Sequence, residues 1–242
     1  MAAATGRPDT RAARSAIFAS LRRDAATDLP PLPDLAPFFS GAFGRGGGGS
    51  RIDPAALIEP FETAARGWRA DVLRARLDDW PGAVRSALEA RRCTRVAIGT
   101  RGALQPALRS ALQGVQVRRF EQPLTQWKSE LFDAIDAGIT GALAGIADTG
   151  TLLLRPDAHE PRTLSLVPPV HVAVLMCSTL HASLAAAWRA LALAADMPTN
   201  LLLVSGPSKT ADIQQTLAYG AHGPKELVIV LVDDLASGGG AP

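Results

Sequence analysis

What constrains this chain most is a repeated alternation of extended and helical segments joined by short connections. Asp53 is a helix N-cap with Pro54 in the first helical position, and the pattern opens a helix to about residue 66. Extended segments are expected at 70–73, 94–98, 115–120, 138–140, 142–147, 151–154, 170–175, 201–204 and 227–232. Helical segments are expected at 77–91, 104–112, 129–137, 178–195 and 210–217. Strands separated by helices are joined by crossovers, and crossovers build a parallel sheet with helices over its faces. The fold class is therefore α/β: an open, mostly parallel sheet covered on both sides. The runs 142–147 and 151–154 differ, because the turn Asp148-Thr-Gly150 joins them directly.

Composition narrows the function classes. Of the 242 residues, 47% are apolar and 20% charged, which suits a chain with a real core. The formal charge is only +2 and aromatics are 5%, so the chain lacks the clustered Lys/Arg and interleaved aromatics of a nucleic-acid binder. The pairs Arg91-Arg92 and Arg118-Arg119 read as solvated element boundaries. Cys93 and Cys177 stand in no metal-ligand spacing, which fits a reduced, cytoplasmic setting and no metal. Five Arg fall within the first 23 residues, yet no apolar run follows them, and Asp9 and Asp24 argue against a transit peptide. The uncharged stretch 163–188 is long enough to span a membrane, but Pro168-Pro169, His171 and His181 break it into a buried strand and a buried helix.

Three parts follow from composition. Residues 1–50 carry a short helix at 9–24, with Ile17, Phe18 and Leu21 on one side, and a Pro- and Gly-rich flexible linker. Residues 51–236 form the α/β domain, and 237–242 are a frayed tail. Gly44, Gly46 and Gly49 spell a formal dinucleotide fingerprint, but a Pro-rich segment precedes them and no helix opens within the motif. The linker reading prevails.

Candidate chemistry concentrates in Ser205-Gly-Pro-Ser-Lys-Thr-Ala-Asp-Ile213, which follows an apolar strand and is expected to open a helix. Its bland reading is a capped helix, with Ser208 as N-cap and Asp212 complementing the dipole. Its functional reading is a cradle for a small carboxylate or phosphorylated ligand, formed by Ser205, Gly206, Ser208, Lys209 and Thr210 at the carboxyl edge of the sheet. Lys209-Thr210 falls short of a nucleotide loop, since Ser208 stands where Gly is required. A second candidate is Asp148, Thr149, Gly150 and Thr151, either an ordinary turn or an anion nest. A third is His222 with Gly223, on a loop before the last strand. His222 and Asp212 are the candidate acid–base residues. His171 opens a buried strand and reads as a satisfied structural histidine. Cys177 and His181 read as core, and His159 and Arg162 lie on a loop able to overhang a pocket.

Taken together, these segments resemble the LUD domain family, of the lactate utilisation protein C type. The resemblance spans residues 55–235 and rests on four groups of residues. They are Gly138-Ile-Thr-Gly141 with Ile146-Ala-Asp-Thr-Gly-Thr-Leu-Leu-Leu154, Pro168-Pro-Val-His171, the Ser205 segment, and Gly220-Ala-His-Gly-Pro-Lys-Glu-Leu227. Asp148 departs from a family that often has Glu there. The resemblance implies a fold like the NagB/RpiA/CoA-transferase group. It also implies a role in oxidising L-lactate to pyruvate beside two iron–sulfur partner proteins, with no redox cofactor in this chain. The alternative, by fold analogy, is a stand-alone enzyme or binding protein for a phosphosugar or CoA ester. A CoA transferase wants a catalytic Glu at a strand end, and Glu130, Glu160 and Glu226 are poor candidates by context.

Overall fold

The computed structural model describes residues 11–23, 52–211, 217–220 and 222–235. The chain divides into two units, Met1–Pro37 and Phe38–Pro242. In the first, α1 (Arg11–Arg23) is the expected N-terminal helix. The Gly44, Gly46, Gly49 motif and the tail expected at 237–242 lie outside the described residues.

In the second unit, the Asp53 carboxylate accepts from the Ala55 amide at 3.0 Å, as an N-cap should. A turn of 3-10 helix over Pro54–Leu57 then leads into α2 (Ile58–Gly67). There follow β1 (Asp71–Arg76), α3 (Trp80–Ala90), β2 (Arg95–Ile98), α4 (Gln105–Ala111), β3 (Gln116–Arg119), α5 (Lys128–Asp133) and β4 (Ala137–Gly141). Next come β5 (Ala144–Ile146), β6 (Thr151–Leu154), α6 (Thr163–Leu166), β7 (Val170–Met176), β8 (Leu180–His181) and α7 (Leu184–Ala190). The chain continues through β9 (Leu202–Val204), β10 (Lys209–Ala211), β11 (Leu217–Tyr219) and β12 (Glu226–Asp233).

Six strands form the main sheet in the order β1-β12-β7-β4-β2-β3, and every pair is parallel. The interior strand β12 shows why. Val228, Val230 and Val232 point to one face and Leu227, Ile229 and Leu231 to the other, all buried. The valine face packs on Trp80, Val84 and Leu88 of α3 and Leu108 of α4. The leucine face packs on Phe61 and Ala65 of α2 and on Leu152 and Leu154 of β6. Phe61 is wholly buried, which contributes about 1.5–3 kcal/mol. A second sheet, β8-β5-β6-β9, lies on that face, and Trp188 of α7 and the buried Leu193 just beyond it cover its far side. The fold is α/β, as expected, with this small mixed sheet as an added layer.

Three helix expectations are corrected. The helix at 129–137 stops at Asp133, because Ala137 begins β4 and pairs with both Val96 and Val170. The helix at 178–195 shrinks to α7. Cys177–Thr179 is a 3-10 turn, Leu180–His181 pairs with Gly145-Ile146 as β8, and Ser183 caps a fresh start by accepting from Ala186 N at 3.2 Å. Alanine propensity is a weak prior, and strand pairing overrides it. The helix at 210–217 is replaced at both ends by an antiparallel pair, Lys209–Ala211 with Leu217–Tyr219. Among the described residues no helix is long and apolar enough to cross a membrane.

Candidate functional site

Two turns meet behind β6 and β9. Gly150 has φ +60°, and a Cβ there would stand 2.1 Å from the Ala65 nitrogen, so the Asp148–Thr151 turn is docked tightly against α2. Gly206 has φ +121°, and a Cβ would stand 2.4 Å from the Trp68 carbonyl oxygen. Both positions exclude side chains for reasons of conformation and space. Because β6 and β9 are antiparallel neighbours, with Leu152 opposite Val204, the two turns bring their hydroxyls together. Thr149 Oγ1 lies 2.7 Å from Thr151 Oγ1, which lies 2.6 Å from Ser205 Oγ. Two motifs 54 residues apart are thus joined by one chain of hydroxyls.

On the other side of Ser205 is a cavity of about 230 Å³. Ser205, Gly206, Ser208, His222 and Gly223 line it, together with Ser165 and His171. Ser208 holds the two walls together: its amide donates to Pro224 O at 2.8 Å, and its carbonyl accepts from Gly220 N at 2.9 Å. The floor comes from the main sheet. His171 and Leu227 are paired residues at the amino ends of β7 and β12. His171 Nε2 lies 2.8 Å from Thr140 Oγ1, and burial pushes the imidazole down to about 4, so the ring is neutral at neutral pH.

This arrangement corrects two expectations. The cavity is at the amino ends of the parallel strands, because β9 belongs to the small sheet and Ser205 therefore opens no carboxyl edge of the main one. The donors are not the free amides of a first helical turn, since no helix begins at Ser208 and its amide is already bonded. The polar side chains that line the cavity are hydroxyls and imidazoles.

The other sequence candidates separate. Asp148 is exposed and lines a groove against Ala55, Glu59 and Thr63, while its amide donates to Ala182 O at 3.0 Å. That bond removes one donor from the supposed nest. Lys209 lines a neighbouring hollow with Trp68 and Arg69, across the Ser205–Pro207 turn. Thr210 lies on β10, and Asp212 lies outside the described residues. Cys177 and His181 share no helical face. Both cysteines are buried, and burial pushes the Cys93 thiol up to about 11 and the Cys177 thiol up to about 12, so neither is a nucleophile at neutral pH. One cavity residue, Ser165, escaped the sequence reading, since it carries no local signal, whereas His171 was read as structural although it stands as a lone polar residue inside the apolar run Val170-His-Val-Ala-Val174.

The fold is that of a LUD domain. The family's model matches residues 58–232, and the chain belongs to the LUD domain family. It is 37% identical over 223 residues to a protein of Neisseria meningitidis serogroup B named only as uncharacterized, covering 91% of this chain and 93% of that one. It is 29% identical over 230 residues to lactate utilization protein C of Deinococcus radiodurans, covering 93% and 98% of the two chains. A crystal structure of a DUF162 family protein from the same organism is similar with a TM-score of 0.57 and 27% identity, covering 75% of this chain and 99% of that one.

Proposed function

We propose that this chain is the non-redox subunit of an L-lactate utilisation system, which oxidises L-lactate to pyruvate together with iron–sulfur partner proteins. The names of the similar lactate utilization C proteins support the pathway. The observation that carries the reading is the convergence of Ser205, Ser208 and His222 on one small cavity. Its volume, about 230 Å³, falls below the ~300–1,000 Å³ of pockets for drug-sized ligands, which favours a three-carbon acid over a CoA ester. In this reading the Ser205 and Ser208 hydroxyls donate to the carboxylate. His222 accepts the proton of the 2-hydroxyl. Oxidation also releases two electrons and the C2 proton, and the clusters of the partner proteins supply the electron acceptor.

The test is lactate-dependent dye reduction by material co-purified on a tagged copy of this chain from lactate-grown cells. Activity with iron–sulfur partners present, and absent from the chain alone, is the expected result. A partner-free preparation that binds or turns over a phosphosugar or CoA ester, with no lactate activity in either fraction, overturns it.

A further inference from the structure

Five polar side chains are buried among the described residues: Gln105, Thr140, Thr151, Ser165 and His171. Four of them belong to one place. Ser165 and His171 line the 230 Å³ cavity, Thr140 bonds to His171, and Thr151 bonds to the cavity residue Ser205. Buried polar groups cost stability unless they are paired, so their concentration around one hollow calls for a reason beyond packing.

His171 is the clearest case. The inward stripe it shares with Ala173 and Leu175 on β7, and with Leu227, Ile229 and Leu231 on β12, is otherwise apolar. A leucine would continue that stripe. Instead the position carries an imidazole that is 1% exposed, and it does so where the stripe reaches the cavity. Thr140 Oγ1 engages Nε2, which fixes the ring and leaves Nδ1 as its second polar atom. The ring is neutral at neutral pH, so with Nε2 engaged it presents Nδ1 as a single donor or acceptor and no charge.

We propose that His171, held by Thr140, is the ligand-reading floor of the cavity and hydrogen-bonds directly to the oxygen on C2 of a small 2-hydroxy or 2-oxo acid. This rests on the lactate reading for the ligand class, while the binding role of His171 stands on the cavity itself. His222, on the exposed rim, and His171, on the buried floor, then face one ligand from opposite sides. A site that pairs with a substrate hydroxyl discriminates strongly against an analogue lacking it, because the buried partner is left unpaired.

The chain has four histidines, so their ring nitrogens can be followed individually by nitrogen–proton NMR of the full protein. L-lactate, pyruvate, propionate and inorganic phosphate are titrated separately. The expected result is that L-lactate and pyruvate move the His171 resonances, while propionate, which has the same skeleton without the C2 oxygen, binds at least about 10-fold more weakly. Thr140→Val is expected to weaken L-lactate at least about 10-fold and to leave propionate unchanged. His171→Asn, if it folds, should reduce the lactate-to-propionate preference towards one. If phosphate moves His171 and L-lactate moves no histidine, the floor role stands and the lactate reading and the C2-oxygen assignment fall. If ligands move His222 alone, or if no compound moves His171, the proposal is overturned.

Discussion

The two ends of the parallel sheet are built in opposite ways. After β2 the chain passes over one face through α4 to β3, then under the other through α5 to β4, so neighbouring strands β2 and β4 send their connections apart. In open α/β sheets that divergence leaves a crevice at the carboxyl ends, where ligands usually bind. Here the crevice is filled from within. The Thr100 amide donates to His159 O at 2.9 Å, Thr100 Oγ1 lies 3.1 Å from His159 Nδ1, and Gly141 N donates to Glu160 Oε1 at 2.9 Å. Residues 157–160 form the strap across this end, and the Asp157 carboxylate braces it by accepting from the amides of His159 and Glu160. At the amino ends, β7 and β12 stop beneath a hollow lined by Ser165, His171, Ser205, Ser208 and His222. The same sheet thus spends its usual binding end on structure and opens its unusual one. Topology says where loops diverge, but the residues in those loops decide which end is a site.

The contrast predicts that substitutions at the amino end damage function and those at the carboxyl end damage stability. The largest effect is expected from His222→Ala. Its side chain is exposed, so the melting temperature should hold, while lactate-dependent dye reduction by the reconstituted system falls about 10²-fold or more. An unchanged rate removes His222 from the chemistry. At the other end, a Cβ on Gly99 would stand 2.7 Å from the His159 carbonyl oxygen. Gly99→Val should therefore lift the strap and lower stability by about 1–3 kcal/mol in urea, with activity per folded molecule kept. Loss of lactate turnover at full stability would mean that the carboxyl end is a second site, and the contrast would fail.

How much of this was legible in the sequence depended on range. Strands whose neighbours are apolar on both faces, such as β7 and β12, announce themselves locally, and so does the Asp53 cap. Partnerships between distant strands do not. Nothing in Leu180-His181 says that it pairs with Gly145-Ile146, and nothing near Lys209 says that it pairs with Tyr219, so both stretches read as helix. The same blindness moved the site. Ser205 follows a strand, as expected, but that strand pairs with β6, and this places the turn at the amino end of the main sheet. The Ser205 and His222 motifs, which line one cavity, stand out in the sequence because each breaks a local pattern with glycine and proline. Glu160 was passed over because its significance comes wholly from Gly141, 19 residues away.

Glu160 sharpens the contrast through pH. Burial, with Asp157 nearby, pushes its carboxyl up from 4.5 to about 7, against the Gly141 amide, which acts in the other direction. Between those values the folded state keeps a proton that the unfolded chain has released. Its stabilising share is therefore complete below about 4.5 and is lost as the pH rises through 7. Glu160→Gln keeps an acceptor for Gly141 N and removes the titration. From pH 5 to pH 8 the variant should gain on the wild type by on the order of 2 kcal/mol. A difference in stability that stays flat across that interval would show that the strap does not bury the carboxyl.

The smallest effect expected is at the hydroxyl chain, where the two kinds of damage should coincide. Ser205→Ala removes the partner of Thr151 Oγ1, whose residue is 4% exposed and keeps Thr149 Oγ1 at 2.7 Å. Because one partner remains, the loss should be about 1 kcal/mol rather than the full cost of an orphaned buried group. Thermal unfolding measures that share. Lactate affinity measures the other, since Ser205 also lines the cavity. If stability falls and affinity holds, Ser205 serves the joint between β6 and β9 and the carboxylate is held by Ser208. If affinity falls further than stability, the hydroxyl chain is part of the site, and the amino end joins structure and binding in one set of bonds.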